Sequence, residues 1–271
     1  MTLGRATGTG GAVWPRRLAA SAGVQIMTSL ADWALILTVG LAAGTVGGVV
    51  GFGASILLLP VLVWSFGAKE AVPLMALAAL LANASRVAVW WREVDWKVNA
   101  VYCATAMPAA ALGARLLVRL DARMIEAGLG AFLLVAVPLR RWLLARGFRV
   151  TLPMMAVVGA GIGFLTGLVA STGPINTPFF LGYGLTKGAY IASEALGSAA
   201  ISLTKSSVFL AYGVLPPQTI LRGLLIGSSL MAGAWISKRI VQRMDASQYQ
   251  WLLEGMMIVA GLYILHSALG P

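Results

Sequence analysis

Cysteine, histidine and charge are scarce in this chain, and each shortage removes a class of function. A single cysteine, Cys103, excludes an internal disulfide and a membrane thiol relay, which needs a pair. One histidine and nine acidic residues leave no metal-ligand cluster and no Ser/His/Asp arrangement, so neither a metal, a cofactor nor an enzyme is expected. The glycines at Gly47, Gly48 and Gly51 are not a phosphate-binding loop, because no Gly-Lys-Ser/Thr follows them. Charged residues make up 11% of the chain, where a soluble domain carries about 25%. What fills the sequence is apolar: 59% of it is hydrophobic, which identifies an integral membrane protein with no room for a sizeable soluble domain. The net charge of +11 implies positive loops facing cytoplasm and anionic lipid. No nucleic-acid partner is expected, since no folded soluble face gathers that charge.

Apolar runs between charges divide the chain into ten segments: 33–51, 54–66, 69–91, 97–119, 122–139, 152–170, 175–185, 187–213, 217–240 and 247–269. Residues 1–32, with the run Thr7-Gly8-Thr9-Gly10-Gly11, read as a disordered tail rather than a cleaved signal. Segments 54–66 and 175–185 are too short to cross a ~30 Å hydrocarbon core, and each follows a glycine-rich break and contains a proline, Pro60 or Pro178. Pairing those prolines gives an offset of 118 residues that also superposes Lys69 on Lys187. An offset of 119 pairs Gly44 with Gly163 and Gly48 with Gly167, and one of 120 pairs Gly113 with Gly233 and Arg119 with Arg239. The expected fold is therefore all-α: two homologous transmembrane repeats of about five segments, 33–139 and 152–271, joined by a basic linker, 140–151. Five crossings, an odd number, would make the repeats inverted, with Arg140, Arg141, Arg146 and Arg149 in the cytoplasm. That orientation leaves Arg115, Arg119 and Arg123 outside, against the usual charge bias.

Two features point to a site. The first is the pair of breaks. Free backbone groups at membrane depth are tolerated where they line a cavity, and paired Gly/Pro-interrupted segments in the two halves of a transporter mark its centre. Half-helix N-termini offer donors and a positive dipole end to an anion. The candidates are Gly51, Gly53 and Ser55 in the first break, and Ser171, Thr172, Gly173, Asn176 and Thr177 in the second. Gly44, Gly48, Gly163 and Gly167 read instead as close helix packing through Gly-x-x-x-Gly spacing. The second feature is a polar stripe in segment 187–213. Glu194, Ser198, Ser202 and Lys205 are spaced four, four and three apart, so they share one helical face. A charge at that depth costs roughly 3 kcal/mol or more. Lys205 is expected to supply the fixed positive charge of an anion site, and Glu194 to carry a proton. The two lie about 16 Å apart along the axis, too far for a direct pair.

The run Gly51-Phe-Gly-Ala-Ser55 with its apolar continuation to Pro60, then Lys69-Glu-Ala-Val72, resembles the glycine-rich hallmark of the sulfite exporter TauE/SafE family. The stretch from Ala170 to Pro178 resembles a degenerate second copy, and Lys187 through Lys205 is similar to the family's downstream helix. The resemblance spans about residues 33–269. It implies a bacterial inner-membrane, multi-pass permease for sulfite, organosulfonates or related small anions. Ala54, Ser55, Ala170, Thr172 and Pro174 stand where the family shows glycine, and the added hydroxyls fit a different anion as well.

The remaining polar residues are read more plainly. Arg86, beside Asn83 and one to one and a half turns before Trp90, Trp91 and Arg92, is either an interface anchor or an anion ligand. Glu126 and Glu254 read as solvated helix starts, and His266 as interfacial. The expected function is secondary transport of a small anion, coupled to protons. A passive anion channel or uniporter, or a permease for small carboxylates, is the alternative. The expected partners are the anion and the lipid bilayer, with a homodimer as a further expectation.

Overall fold

The computed structural model describes residues 30–50, 52–145, 149–169, 172–185 and 187–240, with single positions 258 and 262. Gly51, Ser171, most of segment 247–269 and the tail before Leu30 lie outside the described residues, as do Glu254 and His266. Among the described residues there is no strand. The elements are α1 (Leu30–Val50), α2 (Ala54–Phe66), α3 (Ala68–Trp90), a 3-10 turn (Trp91–Glu93), α4 (Trp96–Arg119), α5 (Ala122–Ala145), α6 (Leu152–Leu168), α7 (Gly173–Gly182), α8 (Lys187–Ala211) and α9 (Pro217–Ile240). Helix α5 continues to Ala145, beyond the apolar run that ends at Leu139, so the first part of the expected 140–151 linker is helical.

Four of these helices, α1, α3, α4 and α9, are long and apolar enough to cross a membrane. Helix α8 has the length, 25 residues or about 37 Å, but its charges and hydroxyls lower its apolar content. Helices α2 and α7 have 13 and 10 residues, about 20 and 15 Å of rise, and cannot span ~30 Å alone.

Local chemistry sets these ends. Asp95 caps α4 by accepting from the Val98 amide at 3.0 Å. Proline in the first turn starts α6 and α7, where its missing N–H costs nothing. Gly53, with φ of 110°, turns the chain into α2 in a left-handed conformation that a side chain would strain. Gly67, at φ 73°, does the same between α2 and α3. The start of α3 is tied to α9: Arg222 donates to Glu70 at 2.8 Å and stacks 5.3 Å from the Phe66 ring.

Lipid offers little hydrophobic gain for helix association, so close contact depends on small residues. The tightest pairs are α4 with α6 and α1 with α9. Gly163 and Gly167 lie on the backbone of Ala106 and Ala110, while Gly44 and Gly48 lie on Leu230 and Ala234. A side chain at Gly44 or Gly163 would collide with neighbouring backbone, which is the packing role their spacing suggested. Helix α3 packs on α8 and α9, and α4 also packs on α8. Leu112, Leu116, Val157, Leu203, Leu210, Leu221 and Trp235 point outward, as lipid-facing side chains do.

Candidate functional site

The two breaks meet. Phe52 and Gly53 precede α2, Thr172 precedes α7, and Gly173 lies directly against the Phe52 side chain. Between them is a cavity of about 40 Å³, roughly three times the 10–15 Å³ that one water needs. Its walls come from both breaks and the longer helices around them. Gly53, Ala54 and Ser55 of the first break face Thr172, Gly173 and Asn176 of the second. Gly44, Gly47 and Gly48 of α1 and Thr166 of α6 close the sides. Asn83 and Arg86 enter from α3, Tyr102 from α4, and Glu194, Ser198 and Ser202 from α8.

The first turns of both short helices thus line one polar space. The opening amides of a helix have no intrahelical partner and carry its positive dipole end, so this wall favours an anion. Helix α7 is fixed from several directions. Its first carbonyl, at Gly173, accepts from Thr177, whose hydroxyl also bonds Tyr190 of α8 at 2.8 Å. Tyr102 donates to Asn176 at 3.2 Å, and the Thr172 and Thr166 hydroxyls are hydrogen-bonded to each other.

The charges in the cavity form a pair. Arg86 Nη1 lies 3.2 Å from Glu194 Oε2, with Arg86 9% and Glu194 1% exposed. Arg86 Nη2 donates to Asn83, Ser198 donates to Glu194 Oε1 at 2.7 Å, and the Asn176 amide lies beside the carboxyl. Removing one member of a buried pair is costly because the other charge is left uncompensated.

Placement follows the expectations unevenly. Gly53, Ser55, Thr172, Gly173, Asn176, Ser198, Ser202, Glu194 and Arg86 all border the cavity. Thr177 is buried but bonds within the α7–α8 contact rather than lining it. Two expectations change. Lys205 does not line the cavity: its ammonium donates to the Thr166 and Val169 carbonyls at 2.6 and 2.7 Å. Those carbonyls lie at the C-terminal end of α6, where the break leaves them without helical partners and a cation offsets the negative dipole end. Arg86 is no interface anchor, because α3 packs on α8 and turns it inward to Glu194. Tyr102 and Thr166 escaped the sequence reading. Tyr102 is the single tyrosine of segment 97–119, which was the signal available for the first, and nothing separates Thr166 from other helical threonines.

These elements define a helical membrane protein with a polar, charge-bearing cavity between two broken helices, the architecture of a transporter. The chain belongs to the sulfite exporter TauE/SafE family, whose model matches residues 36–264. It is thus a membrane permease of a transport family. No curated protein sequence matches the chain, and no solved structure matches it.

Proposed function

We propose that the chain is a proton-coupled secondary transporter that moves a small anion, sulfite, an organosulfonate or a related oxyanion, across a bacterial inner membrane as a multi-pass protein. The observation that carries this reading is the cavity. Two half-helix N-termini and the Arg86 guanidinium converge on a space lined by hydroxyls and amides. Positive dipole ends, a fixed cation and flexible donors are what a desolvated anion requires. Arg86 takes the part expected of Lys205, and Ser55, Thr172, Asn176, Ser198 and Ser202 supply the neutral donors. Glu194 is the proton carrier.

The packing supports two inverted repeats, 33–139 and 152–271. If α1, α3 and α4 correspond to α6, α8 and α9, then α1 on α9 mirrors α6 on α4, α3 on α9 mirrors α8 on α4, and α3 on α8 lies on the axis. The glycine contacts follow the exchange of helices one turn out of register: Gly113 lies against Gly167, and Gly233 lies against Gly44 rather than against Gly48, the position paired with Gly167. Alternating access by one half rocking on the other follows from such symmetry.

The test is sulfite flux in proteoliposomes with and without an imposed pH gradient. The native protein is expected to accumulate sulfite when the gradient is present and to stop when a protonophore collapses it. Arg86→Gln is expected to lose flux at least tenfold while remaining folded. Downhill flux that ignores the protonophore would support the channel or uniporter instead.

A further inference from the structure

The cavity holds its cation and its carboxylate in one ion pair, and this restricts how an anion can bind if the chain is the transporter proposed above. A guanidinium is a fixed cation, and Arg86 brings one into the cavity. Its charge is matched by Glu194 at 3.2 Å inside a wall of protein. A second anion added to that pair would leave a net negative charge out of water, which costs several kcal/mol per ion.

The surroundings of Glu194 narrow its possible counter-charges. From α3 comes Arg86, and from α4 Tyr102 with Cys103 next to it. From α7 comes the neutral Asn176, and on α8 itself Ser198. Lys205, eleven positions along α8, is turned to the α6 carbonyls. The Trp91–Glu93 turn sets the Glu93 carboxylate against Gly188 at the start of α8, and the Asp95 amide donates to Ser193, the residue before Glu194. Among the described residues, Arg86 is therefore the cation in contact with Glu194, and Asn83 steadies its other nitrogen.

We propose that the transported anion and the Glu194 carboxylate take turns on Arg86. The anion occupies the guanidinium only as Glu194 takes a proton from water and withdraws as a neutral acid. Release of the anion returns the proton and restores the pair. The exchange balances for a singly charged anion: one carboxylate becomes one carboxylic acid, one proton enters with each anion bound, and no covalent bond to the anion forms. The neutral acid keeps partners, because the Ser198 hydroxyl and the Asn176 amide can each donate or accept after reorienting. With the ion pair intact, the empty cavity has its charges satisfied. With proton and anion both bound, the net charge of the site is unchanged. Coupling then needs no separate proton path to a distant residue.

The probe is methanesulfonate, a monovalent sulfonate that stays ionised across the working pH range, so any proton taken up belongs to the protein. Purified native protein is mixed with it in weakly buffered solution containing a pH indicator, and affinity is measured at several pH values. About one proton taken up per anion bound is expected. Affinity is expected to fall about tenfold per pH unit where Glu194 is ionised in the free protein. Glu194→Gln, which keeps the side-chain volume, is expected to bind with a pH-independent affinity and no proton uptake. Binding to native protein without proton uptake, or an unchanged pH slope in Glu194→Gln, overturns the exchange and leaves the transporter reading standing. Failure of native protein to bind or move both methanesulfonate and sulfite overturns both. Should Glu194→Gln not fold, the proton count on native protein decides alone.

Discussion

At the scale of single residues, the Arg86–Glu194 pair governs both stability and function. Each charge is buried and each depends on the other. Glu194→Ala alone is expected to cost about 3–5 kcal/mol, because it strands a buried guanidinium. The double variant Arg86→Met/Glu194→Gln is expected to be less destabilised than the two single changes combined. Thermal unfolding in detergent of the four proteins of that cycle measures the coupling. The pair also shows what one-dimensional reading loses. The spacing of Glu194, Ser198 and Ser202 placed them on one face, and the structure turns that face to the cavity. For Arg86, the closeness of Trp90, Trp91 and Arg92 suggested an anchor. Its partner is 108 positions away, and no local pattern joins them.

At the scale of elements, the short helices need their ends held. Lys205 holds the end of α6 through two carbonyls. Charge-assisted hydrogen bonds contribute about 1.5–3 kcal/mol each. Lys205→Met is therefore expected to lower stability by about 3–6 kcal/mol, while changing methanesulfonate affinity less than about threefold. A Lys205 in direct contact with the anion would instead show its affinity abolished, so a binding isotherm beside a melting curve separates the two roles. Close packing gives another expectation. Gly163→Leu would drive a side chain into the Ala106 backbone and part α4 from α6. Loss of folded protein on size-exclusion chromatography checks it, with Gly161→Leu, which faces open space, as the tolerated control.

At the scale of the molecule, the proposed architecture turns on which way each half faces. Inverted five-segment repeats put the start of α3 and the start of α8 on opposite sides of the membrane. Cysteine introduced singly at Lys69 and at Lys187, in a Cys103→Ser background, is expected to react with an impermeant thiol reagent from opposite faces of oriented vesicles. Labelling of both from the same face would favour parallel repeats.

Segment boundaries are legible in the sequence alone, because hydrophobic runs, prolines and glycines act locally. Nine of the ten apolar runs correspond to a described helix within a few residues at nearly every end. The chief departure is α5, where the run Arg140-Arg141-Trp142 interrupts apolarity without interrupting helix. The breaks too are written in the chain, since Gly53 can adopt a backbone conformation that other residues resist. What the tertiary structure alone decided was the direction of each charge. Lys205 and Arg86 are both single basic residues within apolar spans, and by composition and depth they are equivalent. Packing of α8 beside α6 gave Lys205 a pair of orphaned carbonyls, and packing of α3 against α8 gave Arg86 a carboxylate in a cavity. A sequence states that a buried charge must be compensated; which partner compensates it is fixed only when distant helices come together.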